Sequence, residues 1–387
     1  MPNYEIIIAG AGPAGCAAAL QLARLDADLA GKVLLLDKAV FPRPKLCAGA
    51  VSAEGVLVLN QLGVDFDVPA VPVHVTRMFL PTGCLTFQQP NHFRVVSRQQ
   101  FDQHLFTRAR DRGVTTQDGE AVRNVIHKAD HLIVQTSRGE YRTKILIAAD
   151  GANSSVRGRL GLSRAGRIMV GMEIHVPLAS TSIAGFVDNN IFLDFKPLTQ
   201  DLPGYCWIFP TVHEHPVQLS LGILAAPFND NGKVASVKEV FANWLQGLGL
   251  DLEAFNLKAH PALRYERRAA CSQHRVLFVG DAAGLEPLFG EGIASALGVG
   301  CLAAKSAYEA LLNDDFSFAD YETRIRKSSI GSMMRRRHMV AEKIYSRPKL
   351  AQLLIRQGAL LRGIALLQAR KSGARISWSP QTRLRVM

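Results

Sequence analysis

Apolar residues run almost unbroken through four short stretches, 4–9, 33–36, 145–149 and 276–279. Each predicts a β-strand covered on both faces, because a strand with one solvated face would alternate. Between the first two, residues 13–29 place Ala and Leu behind a proline at the first turn, which predicts one helix crossing over between parallel neighbours in a right-handed βαβ unit. Residues 98–109 predict a further helix, with Ser97 as N-cap and Gln100 as its capping-box partner. From 168 to 265 the rhythm changes. Strand-like segments at 168–176, 191–196, 205–209 and 217–224 stand between Pro, Gly and Asn turns and predict an antiparallel sheet, with a helix at 237–248 near its end. After Gly292 the chain is Ala-rich and helical, and no internal repeat or low-complexity stretch is evident.

Composition adds three limits. A length of 387 residues predicts two or three structural units. The six cysteines, Cys16, Cys47, Cys84, Cys206, Cys271 and Cys301, are widely spaced with no C-x-x-C pair and no Cys/His cluster at ligand spacing, so reduced thiols in a cytoplasm are expected and no metal site is. Net charge is +12, yet residues 324–387 carry 16 Lys/Arg and one acid, Glu342, leaving 29 basic and 32 acidic residues elsewhere. All the net basicity therefore sits in the tail. The first strand has no basic leader, and no run of apolar residues reaches membrane-spanning length, so a cytoplasmic protein is expected, with peripheral membrane attachment as the alternative.

The candidate chemistry lies at the strand ends. Residues 10–15 read Gly-Ala-Gly-Pro-Ala-Gly between the first strand and the helix, and Asp37-Lys38 closes the second strand. In this dinucleotide-binding pattern Gly10 permits the tight turn, Gly12 admits a pyrophosphate to the backbone, and Gly15 lets helix and strand pack closely. Pro13 and Ala14 open the helix whose N–H groups face the phosphates, and Asp37 accepts from ribose hydroxyls. The loop alone does not separate FAD from NAD. Two later segments do: a buried strand ending in Asp150-Gly151, and another ending in Gly280-Asp281, followed by Pro287-Leu-Phe-Gly290-Glu-Gly292-Ile293 at a helix start. Glycines there expose N–H donors suited to the negative charge of a reduced flavin, although a Gly-rich turn and helix caps at Asp150 and Asp281 are alternatives.

With these three ordered motifs the chain resembles the para-hydroxybenzoate-hydroxylase-type flavoproteins and, within them, the geranylgeranyl reductase family, over about residues 4–312. The resemblance implies an α/β fold: a Rossmann-type FAD-binding domain (1–72, 97–167 and 268–320), an antiparallel β-sheet substrate domain (73–96 and 168–267) and a basic helical C-terminal region (321–387). It implies that Asp281 binds the FAD ribityl chain, that Asp150 and Gly151 lie near the pyrophosphate, and that Arg98 at its helix start approaches FAD, with plain solvation as the alternative. Residues 41–50, Phe-Pro-Arg-Pro-Lys-Leu-Cys-Ala-Gly-Ala, stand where that family has a Lys-Pro-Cys-Gly-Gly loop beside the isoalloxazine; Lys45, Cys47 and Gly49 match, and Leu46 and Ala48 depart. Cys47 then touches flavin or substrate, or is a small buried hydrophobe. Residues 205–210 resemble the family's Tyr-x-Trp-x-Phe-Pro strand, placing Tyr205, Trp207 and Phe209 on one face as a substrate wall or as core.

The resemblance implies an FAD-dependent oxidoreductase that reduces C=C bonds of an apolar isoprenoid-type substrate. The alternative is an FAD monooxygenase hydroxylating an aromatic or apolar compound through a flavin hydroperoxide, since one fold serves both. A halogenase's Trp-x-Trp-x-Ile-Pro strand is not matched. One dinucleotide fingerprint is present, so NAD(P)H would visit without a second Rossmann domain, or a reduced redox protein would serve as electron donor. No residue stands out as a catalytic acid; His74, His175 and His213 read as structural or exposed. In the tail, Arg335, Arg336 and Arg337 and the leucines of 350–368 predict a cationic amphipathic helix for an anionic membrane surface, an acidic carrier or redox protein or a phosphorylated substrate, or for packing on the FAD domain. No nucleic-acid recognition motif accompanies it.

Overall fold

The computed structural model describes residues 1–81, 83–178, 189–196, 204–212, 218–225, 236–263, 269–284, 290–345 and 374–380. Its first sheet runs, in spatial order, Ser272–Gln273, Val276–Phe278, Glu140–Ala148, Asn3–Ala9, Val33–Leu36 and Thr115–Gln117. From Val276–Phe278 onward these strands are parallel, and a hairpin of Val122–His127 with Leu132–Thr136 adds antiparallel to Glu140–Ala148. Ile6, Ile7, Ile8, Leu34 and Leu35 are fully buried, as unbroken apolar runs require of a sheet covered on both faces. Helix Pro13–Leu25 packs against Gly292–Asn313, and their approach is set by Gly300, where an added Cβ would lie 2.3 Å from the Ala14 carbonyl oxygen.

Local details depart from the periodicity. The helix expected over 13–29 ends at Leu25, because Asp26 turns extended and its carboxylate accepts from the amides of Asp28 and Leu29, capping a separate short helix Ala27–Ala30. The strand expected from 145 begins at Glu140; residues 140–144, Glu-Tyr-Arg-Thr-Lys, carry no apolar run, and 140–143 pair with the hairpin. Helix Arg98–Asp111 starts where expected, but the Ser97 side chain makes no capping bond, and the first turn is held instead by Arg98 gripping Asp102 one turn on.

The second sheet runs Lys258–Leu263, Ile168–Pro177, Gln218–Ala225, Gly204–Pro210, Asn190–Asp194, Ala70–Leu80, Gly83–Val96 and Arg375–Ser379, with Ala50–Ser52 also on Gly83–Val96. Its pairs are antiparallel except Asn190–Asp194 on Ala70–Leu80. Two stretches read by sequence as belonging elsewhere join it, Ala50–Ser52 and, inside the region expected to be helical, Arg375–Ser379. The latter seats Trp378 over Gly83, where an added Cβ would meet the indole at 2.5 Å. Cys206, Ile208, Leu221 and Ile223 form the outer face under Phe241 and Leu245 of helix Val237–Gln246. Tyr205, Trp207, Phe209 and Leu224 form the inner face with Leu85, Met169, Leu193 and Phe195.

Beyond the first domain, helices Tyr321–Lys327 and Ser329–Tyr345 carry the basic region, and among described residues no helix is long and apolar enough to cross a membrane. The leucine-bearing segment 350–368 lies outside the described residues, as do His213 and Pro287. Gly300→Val should push the two packed helices apart against backbone that no rotamer change relieves. It is expected to cost about 3 kcal/mol, read as a lower urea midpoint at unchanged slope.

Candidate active site

Gly10 takes a left-handed φ of 108° with Ala149 pressed against it, where an added Cβ would lie 2.3 Å from the Ala149 carbonyl oxygen, and a Cβ on Gly15 would fall 1.8 Å from that of Gly10. Both fill the steric roles that the loop pattern assigns. Ala14 does something different, since it packs against Gly280 and Gly300. Asp37, nearly buried, closes the loop: Oδ2 accepts from the Ala11 amide and Oδ1 from the Ala39 amide, each at 2.9 Å, leaving further lone pairs on each oxygen. Lys38 beside it is exposed.

Above this loop stands a residue that the sequence reading quoted but gave no role. Arg43 has Nη2 3.2 Å from Asp102 Oδ2 and Nε 3.6 Å from Asp37 Oδ2, and among the described residues its Nη2 is the only atom within 4 Å of a Cβ built on Gly12, at 3.6 Å. Arg43 Nε is buried without a hydrogen-bond partner among the described residues. Fully buried Asp102 also accepts a bidentate pair from Arg98 at 2.8 Å to each oxygen. Burial opposes charge on Arg98, but the Asp102 charge and then contact with Cys47 outweigh it and raise the guanidinium's pKa. Arg98 is therefore a fixed cation beside Cys47, whose sulfur accepts from the Gly49 amide at 3.4 Å. An acid four positions after Arg98, on a face with Phe101, Leu105 and Phe106, was the signal that could have found Asp102.

At the next strand end, Asp150 Oδ2 accepts from the Val156 amide at 3.0 Å and from Ser155 Oγ at 3.2 Å, so half of its carboxylate caps helix Ser155–Arg159, while Oδ1 is buried with no partner among the described residues. Gly151 has φ 85° with nothing among the described residues within 4 Å of an added Cβ. Asp281 lies in the turn Gly280–Ala283, and Arg157 braces that turn by donating to Ala282, Ala270 and Ser163 carbonyls. Opposite it, among the described residues, a Cβ on Gly292 would meet only Asp281 Oδ1, at 4.0 Å. Ile293 is buried behind that helix start. Gly290, at φ 72°, brings the turn to the second sheet, its Cβ position 3.4 Å from both Leu224 Cδ2 and the Tyr205 hydroxyl.

The two halves meet at Lys45. Its Nζ contacts Nε2 of His260, a residue of the edge strand Lys258–Leu263 that sequence reasoning did not single out. Burial lowers the Lys45 pKa against the pull of Asp281, with Arg98 adding to the lowering. Burial and then the Lys45 charge hold His260 at about 4, so near neutral pH the imidazole is an uncharged acceptor. Trp207 is fixed differently: its indole lies over Gly222, Nε1 donates to Ser220 Oγ at 3.0 Å, and Ser220 donates to buried Glu173 at 2.7 Å.

These openings fit an extended phosphate-bearing cofactor. Among the described residues, a Cβ on Gly12, Gly151 or Gly292 would meet nothing closer than 3.6 Å, and Arg43 Nε and Asp150 Oδ1 are buried without a hydrogen-bond partner. A family model described as FAD binding domain matches residues 3–298. The chain belongs to the FAD binding domain family. It is an FAD-dependent oxidoreductase of the para-hydroxybenzoate-hydroxylase-like fold. It is 29% identical over 330 residues to digeranylgeranylglycerophospholipid reductase 1 of Methanopyrus kandleri, covering 81% of this chain and 83% of the relative. It is also 29% identical over 322 residues to geranylgeranyl diphosphate reductase of Rhodobacter capsulatus, covering 79% and 75%. Among solved structures, a geranylgeranyl bacteriochlorophyll reductase-like protein of Thermoplasma acidophilum superposes with a TM-score of 0.76 at 19% identity, over 96% of this chain and 99% of that one.

The neglected arginine gives the clearest test of the cradle. Arg43→Met, which keeps the stem but removes the charge, is expected to raise the dissociation constant for FAD by about tenfold or more, as charge-assisted bonds of this kind are lost. Fluorescence quenching on titration of the apoprotein measures it, and an unchanged constant would remove Arg43 from the cofactor's contacts.

Proposed function

We propose that this protein reduces carbon–carbon double bonds of an apolar, isoprenoid-type substrate at the expense of reduced FAD. The observation that carries the reading is the inner face of the second sheet, where Tyr205, Trp207, Phe209, Phe195, Leu193, Leu224 and Met169 form one apolar surface whose Tyr205 edge meets the Gly290 turn. A surface of that kind covers a long hydrocarbon chain and excludes water from it. The names of the two curated relatives, both reductases of geranylgeranyl compounds, support the same reading.

In this reading the first sheet's strand ends hold the cofactor: the Gly10–Gly15 loop and Arg43 take the pyrophosphate, Asp37 the ribose, Asp281 the ribityl chain, and the helix start at Gly292 the ring system. Reduced FAD supplies hydride equivalents when bound. The protein's own part is to position and to dry the reacting carbon atoms. Trp207 is held on the inner face by its bond through Ser220 to Glu173, and Cys47 lies beside the Arg98 cation on the loop side. Electrons enter from NAD(P)H or from a reduced redox protein.

Anaerobic incubation of dithionite-reduced enzyme with geranyl, farnesyl and geranylgeranyl alcohols or their phosphates is expected to add the mass of one hydrogen molecule per double bond reduced, with stoichiometric return of the oxidised flavin spectrum. Absence of any mass gain across the series sinks the proposal.

A further inference from the structure

Adding hydrogen across an isolated double bond takes a hydride and a proton, and the arrangement described so far supplies a source for the first only. The second sheet's register points to the other source. Cross-strand partners Tyr205, Leu224, Gly171 and His260 form one row on the inner face, at the edge that meets the Gly290 turn. His260 ends that row and contacts the Nζ of Lys45, which comes from the loop that also holds Cys47. The pair thus bridges the cofactor side and the apolar wall.

Two nitrogens facing each other at hydrogen-bond distance hold one proton, because two cations would repel. The surrounding charges agree. Asp281 favours one positive charge there, while Arg98 and Arg43 oppose it at Lys45, and Lys45, Arg98 and Lys38 oppose it at His260; Cys47 completes the groups facing the pair. Burial weakens the hold of Lys45 on its proton and keeps His260 neutral, so the proton resides on Lys45 and is donated toward His260 Nε2.

We propose that Lys45 and His260 share a single proton and that Lys45 delivers it to the substrate carbon, with His260 as the positioning residue that returns a proton from solvent; the delivery step rests on the reductase reading above. As the C=C π bond breaks, two C–H bonds form. One uses the hydride and its electron pair from reduced FAD, the other the proton from Lys45 Nζ, which is then left as a neutral amine until recharged. An amine that gives up its proton more readily than an ordinary lysine suits this acid role, and general-acid catalysis of this type contributes about 10²- to 10⁴-fold in rate.

Trace acetylation of the holoprotein across about pH 6 to 10, read by peptide mass spectrometry, tests the shared proton without any substrate. Lys45 is expected to become reactive at lower pH than the exposed lysines, and His260→Leu, by removing the acceptor, to shift that profile further toward acid. A Lys45 profile like that of the other lysines, or one that His260→Leu leaves unmoved, overturns the shared proton. Single-turnover hydrogenation then tests delivery. Wild-type rate should fall as pH rises through the Lys45 labelling midpoint, since the donor must be protonated, and His260→Leu should move that limb with the label. Lys45→Met and Lys45→Arg should both keep FAD and its spectrum yet lose about 10²-fold or more in rate, because arginine retains the charge and does not release the proton. Wild-type rate in Lys45→Arg overturns delivery alone. Failure of the wild type to hydrogenate any polyprenyl compound overturns the reductase reading and the delivery step with it, while the labelling result still decides the shared proton.

Discussion

A carboxylate removed from water is tolerated only when positive charge and hydrogen bonds replace the lost hydration, and Asp102 is such a group. It has no exposed surface and faces two guanidinium groups, Arg98 in the bidentate geometry and Arg43 at 3.2 Å. Once that demand is met, the rest of the site is constrained. Arg43 is held above Gly12 with Nε still to be satisfied, its guanidinium is also stacked 5.0 Å over Phe41, and Phe41 in turn lies flat on Phe106 at 4.5 Å. The loop carrying Lys45 and Cys47 is thereby fastened to helix Arg98–Asp111 at one end, while Ala50–Ser52 fastens it to the second sheet at the other. Removing Asp102 alone would leave Arg98 without its bidentate partner and Arg43 with Asp37 alone, so the loop's position and its charge balance are one property.

Much of this architecture was legible because burial on both faces leaves a simple trace. Ile6–Ile8, Leu34–Leu35 and Ile145–Ile147 have no polar alternation because neither face of their sheet meets water, and the strands were readable nearly to the residue wherever that held. The alternation of Tyr205, Trp207 and Phe209 with Cys206 and Ile208 likewise separated the inner from the outer face. The glycine positions carried their information through sterics: Gly10 and Gly15 have backbone where a side chain would be, a requirement that shows in sequence as glycines set a few residues apart in one loop.

What stayed hidden depends on partners distant in sequence. The strand Lys258–Leu263 contains Pro261, which argues against a central strand and is admitted only because this strand lies at the sheet's edge, a fact about topology and not about six residues. His260 could not be identified until that strand was placed, since its meaning comes from Lys45, 215 positions away. Ser97 shows the opposite error. A capping box was written in the residue types, and the stronger interaction of Arg98 with Asp102 settled the helix start without it. The run Arg335 to Arg337 is similarly divided by its neighbours: Arg337 reaches Glu291 at 2.5 Å beside the Gly292 helix start, while Arg336 is exposed, so adjacent residues of one basic run serve packing and surface charge respectively.

The second sheet combines a dry wall with a polar interior, and the register explains how both coexist. Its rows change character along the strands: Tyr205, Leu224, Gly171 and His260; then Trp207, Gly222 and Glu173; then Phe209, Ser220 and His175. Gly222 leaves the space that the indole occupies, and a side chain there would collide with it. The buried indole N–H needs an acceptor, Ser220 provides it, and the Ser220 proton needs one in turn, which is Glu173; Glu173 Oε1 then meets His175 Nε2 at 3.0 Å, on a side chain one third exposed. Each polar group thus exists to satisfy the one before it, and the chain ends where water can take over. An aromatic wall built from Phe at position 207 would need none of these residues. It would also lack a directional bond to hold the ring flat across Gly222, so the polar relay is what converts a merely apolar face into one with a defined shape.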